Sequence, residues 1–135
     1  VIHLMEEQKK NLENHTYGGT IRLGAWPCKI EKRSLLEEMY KKYSNELYSD
    51  LPIVDERHRH RYEFNNEYRE QFEKAGLVLS GKSPDGKLIE AVELPKSVHP
   101  FFIATQYHPE LKTRFLAPHP LFMGFVKACV KNSKK

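Results

Sequence analysis

Between residues 34 and 43 apolar side chains recur at Leu35, Leu36, Met39, Tyr40 and Tyr43, the spacing of one helical face. Ser34 stands just ahead, and "SLLE" predicts a capping box in which Glu37 answers the Ser34 backbone N–H. Pro52 lies beyond the end of this helix. A second helix is predicted over residues 66–75, with Tyr68, Phe72 and Ala75 on one side and Gly76 as its stop. The period then shortens. "LVLSG" and "KLIEAVEL" flank Pro84-Asp85-Gly86, a turn in which proline presets φ and glycine accepts a positive one, so a hairpin is expected. "FFIATQ" reads as a fully buried strand. A final helix starts near Pro120 and turns Leu121, Phe122, Phe125, Val126 and Cys129 inward. Near the start, Val1-Ile2 reads as the tail of a strand, and "TIRLGAWPCKI" as a short strand that breaks near Trp26-Pro27. Helices mixed with hairpin and buried strands make the fold class α/β.

Between the first two strands lies "EEQKKNLENHTYGGT", whose charge and paired glycines predict an exposed, mobile loop or lid. The 135 residues suffice for one domain with a real core. A 39% apolar and 30% charged composition is that of a water-exposed globular chain. No apolar run approaches the roughly 20 residues of a membrane span, the stretch "VIHLMEEQKK" lacks the basic-then-apolar layout of a secretory signal, and no membrane partner is expected. The first residue is not Met, and the opening reads as the continuation of something upstream, so a piece of a longer chain is expected. Two cysteines are too few for a disulfide scaffold, which favours reduced thiols and a cytoplasmic setting. The net charge of +4 admits anionic small molecules without arguing for nucleic acid.

The strand "FFIATQ" ends on Tyr107-His108-Pro109-Glu110. In extended backbone His108 and Glu110 point to the same side, roughly 6–7 Å apart. A carboxylate there fixes the tautomer of the imidazole and stabilises its protonated form, leaving the other ring nitrogen as a base. The alternative is that His108 merely ends a strand and Glu110 faces water.

The second unusual stretch is "ERHRHRYE". If extended, it sends Arg57, Arg59 and Arg61 to one side and His58 and His60 to the other. Guanidinium forks suit a carboxylate held by parallel hydrogen bonds, the grip an amino-acid substrate needs. A nucleic-acid backbone is a poorer fit, because the run is short and bracketed by Glu56 and Glu63. Zinc on His58 and His60 is poorer still: three arginines surround the imidazoles and no cysteine pair assists. No metal ligand is assigned.

"GGTIRLG", "ERHRHRYE" and "QYHPE", in this order, resemble the C-terminal part of the glutaminase domain of CTP synthases, over residues 18–130. The last motif alone fits many class I glutamine amidotransferases, and the arginine run narrows the likeness. The resemblance implies a flavodoxin-like, three-layer fold of which residues 1–135 are the C-terminal part. It implies a ligase that hydrolyses glutamine and passes ammonia to a synthetase domain, where UTP is aminated to CTP. His108 would be the general base and acid, Glu110 its orienting partner, and Arg61 the holder of the glutamine α-carboxylate. The lid over residues 6–17 would gate the site and share in the GTP response. ATP and magnesium would belong to the synthetase domain and GTP would activate, so no cofactor is expected within these residues. The partners implied are glutamine, the other half of the glutaminase domain, the synthetase domain and a homotetramer.

The family's nucleophile sits in a Gly-x-Cys-x-Gly elbow, and no such elbow occurs here. Cys28 lacks flanking glycines and Cys129 falls on an expected inward helix face, where thiols are inert. These residues alone are therefore expected to be inactive. The competing expectations are another class I amidotransferase, or a regulatory remnant that has lost the cysteine.

Overall fold

The computed structural model describes residues 1–5, 9, 13, 21–44 and 51–134. The expected lid falls almost wholly outside them. Among the described residues ten elements follow one another: β1 (Ile2–Leu4), β2 (Arg22–Ile30), α1 (Leu35–Tyr43), β3 (Ile53–His60), β4 (Tyr62–Phe64), α2 (Arg69–Lys74), β5 (Val78–Lys82), β6 (Ile89–Glu93), β7 (Ile103–Thr105) and α3 (Pro120–Asn132). Single 3₁₀ turns at Asn66–Tyr68 and Pro109–Leu111 precede α2 and follow β7. A five-stranded sheet runs in the order β3-β2-β5-β6-β7, every neighbouring pair antiparallel, and β1 pairs with β4 in a separate ribbon. The class is mixed α/β.

Alternation builds β3: Val54, Glu56 and His58 are buried while Asp55, Arg57 and Arg59 are exposed. The core gathers Cys28, Ile30 and Val54 from the sheet, Leu35, Leu36, Met39 and Tyr40 from α1, then Tyr107 and Leu121. Helices α1 and α3 meet at Gly124. A Cβ there would lie 2.1 Å from Met39 Sδ, so any larger residue would force the Met39 side chain to move.

Four local expectations change. First, β2 does not break at Trp26-Pro27. It pairs with β3 throughout, while β5 joins it only at Lys29 and Ile30. Pro27 therefore sits where β2 is paired on one side alone, a place proline tolerates. Second, "FFIATQ" supplies a three-residue strand at the sheet edge, with Ala104 exposed and Phe102 40% exposed, because β6 flanks it on one side only. Third, seating α3 through Leu121 and Gly124 rotates the rest of its apolar residues outward. Phe125 and Val126 are more than half exposed, Phe122 is partly so, and Cys129 is exposed. Fourth, the Glu37 carboxylate accepts from the Arg33 N–H at 2.8 Å rather than from that of Ser34. The Ser34 side chain still caps α1 by accepting from the Glu37 N–H. The hairpin of β5 and β6 and the stop at Gly76, with φ +92°, form as expected.

Candidate active site

An open cleft of about 800 Å³ runs between the end of β3 and the turn after β7. Its walls include Arg59, His60, Arg61, Tyr62, Tyr107, His108 and Glu110. Arg61, His108 and Glu110, read from separate motifs, thus share one cavity.

His108 is not extended as expected. It caps the 3₁₀ turn Pro109–Leu111, with φ −111° and ψ 88°, and its carbonyl accepts from the Leu111 N–H at 3.0 Å. The turn still brings Glu110 back: its Oε1 lies 2.7 Å from His108 Nδ1. A carboxylate only accepts, so Nδ1 carries the proton and Nε2 keeps its lone pair. Partial burial pushes the Glu110 carboxyl up, but the His108 hydrogen bond, its own backbone N–H and the nearby imidazoles outweigh this and hold it below its ordinary value.

Arg61 lies in the bend between β3 and β4, half-buried, where the strand alternation of Arg57 and Arg59 has ended. The Met5 N–H donates to the Arg61 carbonyl at 3.0 Å and fixes that bend from the β1 side.

His60, in the cleft wall, and the buried His58 form a chain. His60 Nδ1 donates to the Tyr62 carbonyl at 2.9 Å, which leaves His60 Nε2 to accept from His58 Nδ1 at 2.7 Å. Burial, then the Arg22 guanidinium, pushes His58 down to about 3. Burial also lowers His60, to about 4, with the Tyr62 carbonyl opposing and Arg22 assisting. Both rings are neutral near pH 7. Glu90 is buried beside them, its carboxyl raised by that burial although Arg22 Nη1 stands 2.7 Å from Oε1. Ligand-type atoms of His58, His60 and Glu90 fall within 4.8 Å of one another. The guanidinium already on Glu90 and the hydrogen bond between the rings make this a poor cradle for a cation, and the cluster is wired as a proton-ordered support.

A second buried group was not foreseen. Glu56, fully enclosed, accepts from Tyr40 Oη at 2.7 Å and from His119 Nε2 at 3.1 Å. His119 caps α3 by accepting the Leu121 N–H at Nδ1, so the proton on Nε2 is the one given to Glu56. The alternation of β3 predicts that Glu56 shares the inner face with His58, and that signal was present in the sequence. Nothing in the sequence signals Arg22 against Glu90.

Neither cysteine stands in the cleft wall. Cys28 is fully buried, and burial first, then Glu90 and Glu56, pushes its thiol far above the ordinary range. Cys129 lies on the exposed side of α3. A second groove, of about 340 Å³ between α1 and α3, is lined by lysines and apolar side chains and contains neither imidazole nor thiol.

The family model of class I glutamine amidotransferases matches residues 8–128. CTP synthase of Clostridium perfringens (strain SM101 / Type A) is 52% identical over 132 residues, which is 98% of this chain and 22% of that protein. CTP synthase of Aquifex aeolicus is 47% identical over 135 residues, 100% of this chain and 23% of the relative. The solved glutaminase domain of Trypanosoma brucei CTPS with bound acivicin superposes with a TM-score of 0.75 at 34% identity, over 97% of this chain and 46% of that one. The chain spans between a fifth and a quarter of the length of these curated relatives. The mixed α/β architecture is consistent with the flavodoxin-like fold expected. With a family match over most of its length, the chain belongs to the class I glutamine amidotransferases.

Proposed function

We propose that residues 1–135 are the C-terminal part of the glutaminase domain of a CTP synthase, and that their cleft is the base and substrate-grip half of a glutamine-hydrolysing site. The observation that carries the reading is the 2.7 Å contact of His108 Nδ1 with Glu110 in a cleft that also includes Arg61. In this reading Arg61 grips the α-carboxylate of glutamine with its fork. His108 Nε2 takes the proton of a cysteine thiol supplied from outside these residues, since Cys28 and Cys129 are both misplaced. The thiolate adds to the side-chain carbonyl carbon of glutamine, the imidazolium returns its proton to the leaving nitrogen as ammonia departs, and a thioester remains. Water, deprotonated by the same Nε2, then releases glutamate. Glu110 holds the imidazole in the required tautomer and stabilises its charged form.

Ammonia then passes to a synthetase domain that aminates UTP with ATP and magnesium, in a cytoplasmic homotetramer activated by GTP. In the intact enzyme His108→Ala abolishes glutamine-dependent CTP formation and spares the ammonia-dependent reaction. Equal loss of both activities would make His108 a structural residue and end this reading.

A further inference from the structure

The turn bearing His108 and Glu110 is docked on β3 at two points. At one end the His108 N–H donates to the Arg57 carbonyl at 2.8 Å. At the other, Lys112 Nζ donates to the Asp55 carbonyl and stands 3.7 Å from Glu56 Oε1. The lysine reaches there with its side chain only 16% exposed, although its backbone follows a surface turn. Three consecutive residues of β3 therefore hold the turn: the Asp55 carbonyl, the Glu56 carboxylate and the Arg57 carbonyl. Glu56 is anchored in turn by Tyr40 on α1 and by His119 at the start of α3. Its Oε2 is buried with no hydrogen-bond partner, and among the described residues Lys112, 3.7 Å from Oε1, is the only lysine or arginine within ion-pair distance of this carboxylate. A buried carboxylate stripped of its cation is costly. Lys112 does not line the cleft and touches no reacting group.

We infer that Lys112 is a positioning residue for glutamine hydrolysis, a clasp that through Glu56 and the Asp55 carbonyl sets where the His108–Glu110 pair sits in the cleft. This rests on the role proposed above for His108. The short His108–Glu110 contact is local and survives without the clasp, so the pair is displaced rather than broken. Misplacement by about 1 Å costs on the order of 100-fold in a catalysed step. Arg61 hangs from a different bend, so substrate grip is untouched.

The test is Lys112→Met in the intact enzyme, with steady-state kinetics on glutamine and on ammonia. Glutamine-dependent kcat falls by about 10- to 100-fold, glutamine KM and the ammonia-dependent rate stay within twofold, and Lys112→Arg restores most of the loss. Adding Glu56→Gln to Lys112→Met recovers activity, because the buried charge and its missing partner vanish together. Hydrogen exchange of the His108 amide, read by mass spectrometry, quickens in Lys112→Met. An unchanged kcat, a parallel fall in the ammonia reaction, or additive losses in the double variant would each overturn the clasp. Amide exchange keeps the two ideas apart: if His108→Ala left glutamine hydrolysis intact, the functional reading would fail, whereas unaltered His108 exchange in Lys112→Met would overturn the clasp itself.

Discussion

The His108 amide donates to the carbonyl of Arg57, so the imidazole hangs from the same stretch of backbone that ends, four residues on, at Arg61. The proposed base is thereby docked on β3, while the proposed carboxylate grip stands in the bend just beyond the end of that strand. The proposed roles separate cleanly: in that reading Arg61 grips the part of glutamine that does not react and His108 acts on the part that does.

Removing the fork of Arg61 therefore acts on binding. Arg61→Ala raises the glutamine KM by about 10- to 150-fold, the equivalent of the roughly 1.5–3 kcal/mol of a charge-assisted hydrogen-bonded pair. Ammonia KM does not move, because ammonia has no carboxylate to hold. Steady-state assays with the two nitrogen donors measure both, and an unaltered glutamine KM would remove Arg61 from the grip.

Acid stability tests the buried imidazole chain. In the unfolded chain His58 and His60 take up protons near pH 6.5, whereas in the fold they stay neutral down to about 3 and about 4. Between those limits the unfolded state binds more protons, so stability is complete above pH 6.5 and declines as the pH falls. Glu90 works in the opposite sense, since its raised carboxyl is protonated in the fold before it is in the unfolded chain. Two imidazoles outweigh one carboxyl, and Tm falls steadily from pH 7 to pH 4.5. His58→Gln removes a proton acceptor from the unfolded state and flattens that slope. A thermal-denaturation series with identical slopes for both proteins would contradict the assignment of neutral rings.

Much of this site could be read from residue order because its parts are local. His108 and Glu110 are two residues apart, and a turn or a strand brings them together equally well; the sequence suggested the strand and the chain uses the turn. The arginine and histidine faces of β3 follow from period-two alternation, which also marks Glu56 as inward. What could not be read is what each inward charge meets. Arg22 on β2 meets Glu90 on β6 although β5 stands between those strands in the sheet order, and Glu56 meets His119 only after α3 folds back. The outward turn of Phe125, Val126 and Cys129 was likewise hidden, because it depends on Gly124 admitting Met39, a contact between helices far apart in the chain. Periodicity finds an apolar face; it does not say which part of it a neighbour covers.

Glu93 carries the last expectation, and it concerns the helix on which Tyr40 stands. From β6, almost fully buried, its Oε1 accepts the Leu35 N–H at 2.6 Å and its Oε2 the Leu36 N–H at 2.9 Å. Ser34 already satisfies the Glu37 N–H, so a side chain from a distant strand completes the cap that the helix's own first turn leaves open. The negative charge also faces the positive end of the helix dipole. Glu93→Ala orphans both N–H groups and costs about 3 kcal/mol locally, at the upper end for hydrogen bonds to a charged acceptor. Glu93→Gln keeps one acceptor, turns an NH₂ group toward the other N–H, and loses about half as much. Hydrogen exchange at the Leu35 and Leu36 amides reads the loss directly and in place. Protection undiminished in Glu93→Ala would mean that α1 is held by its apolar face alone, and that Tyr40 would keep its place under Glu56 without the strand-borne cap.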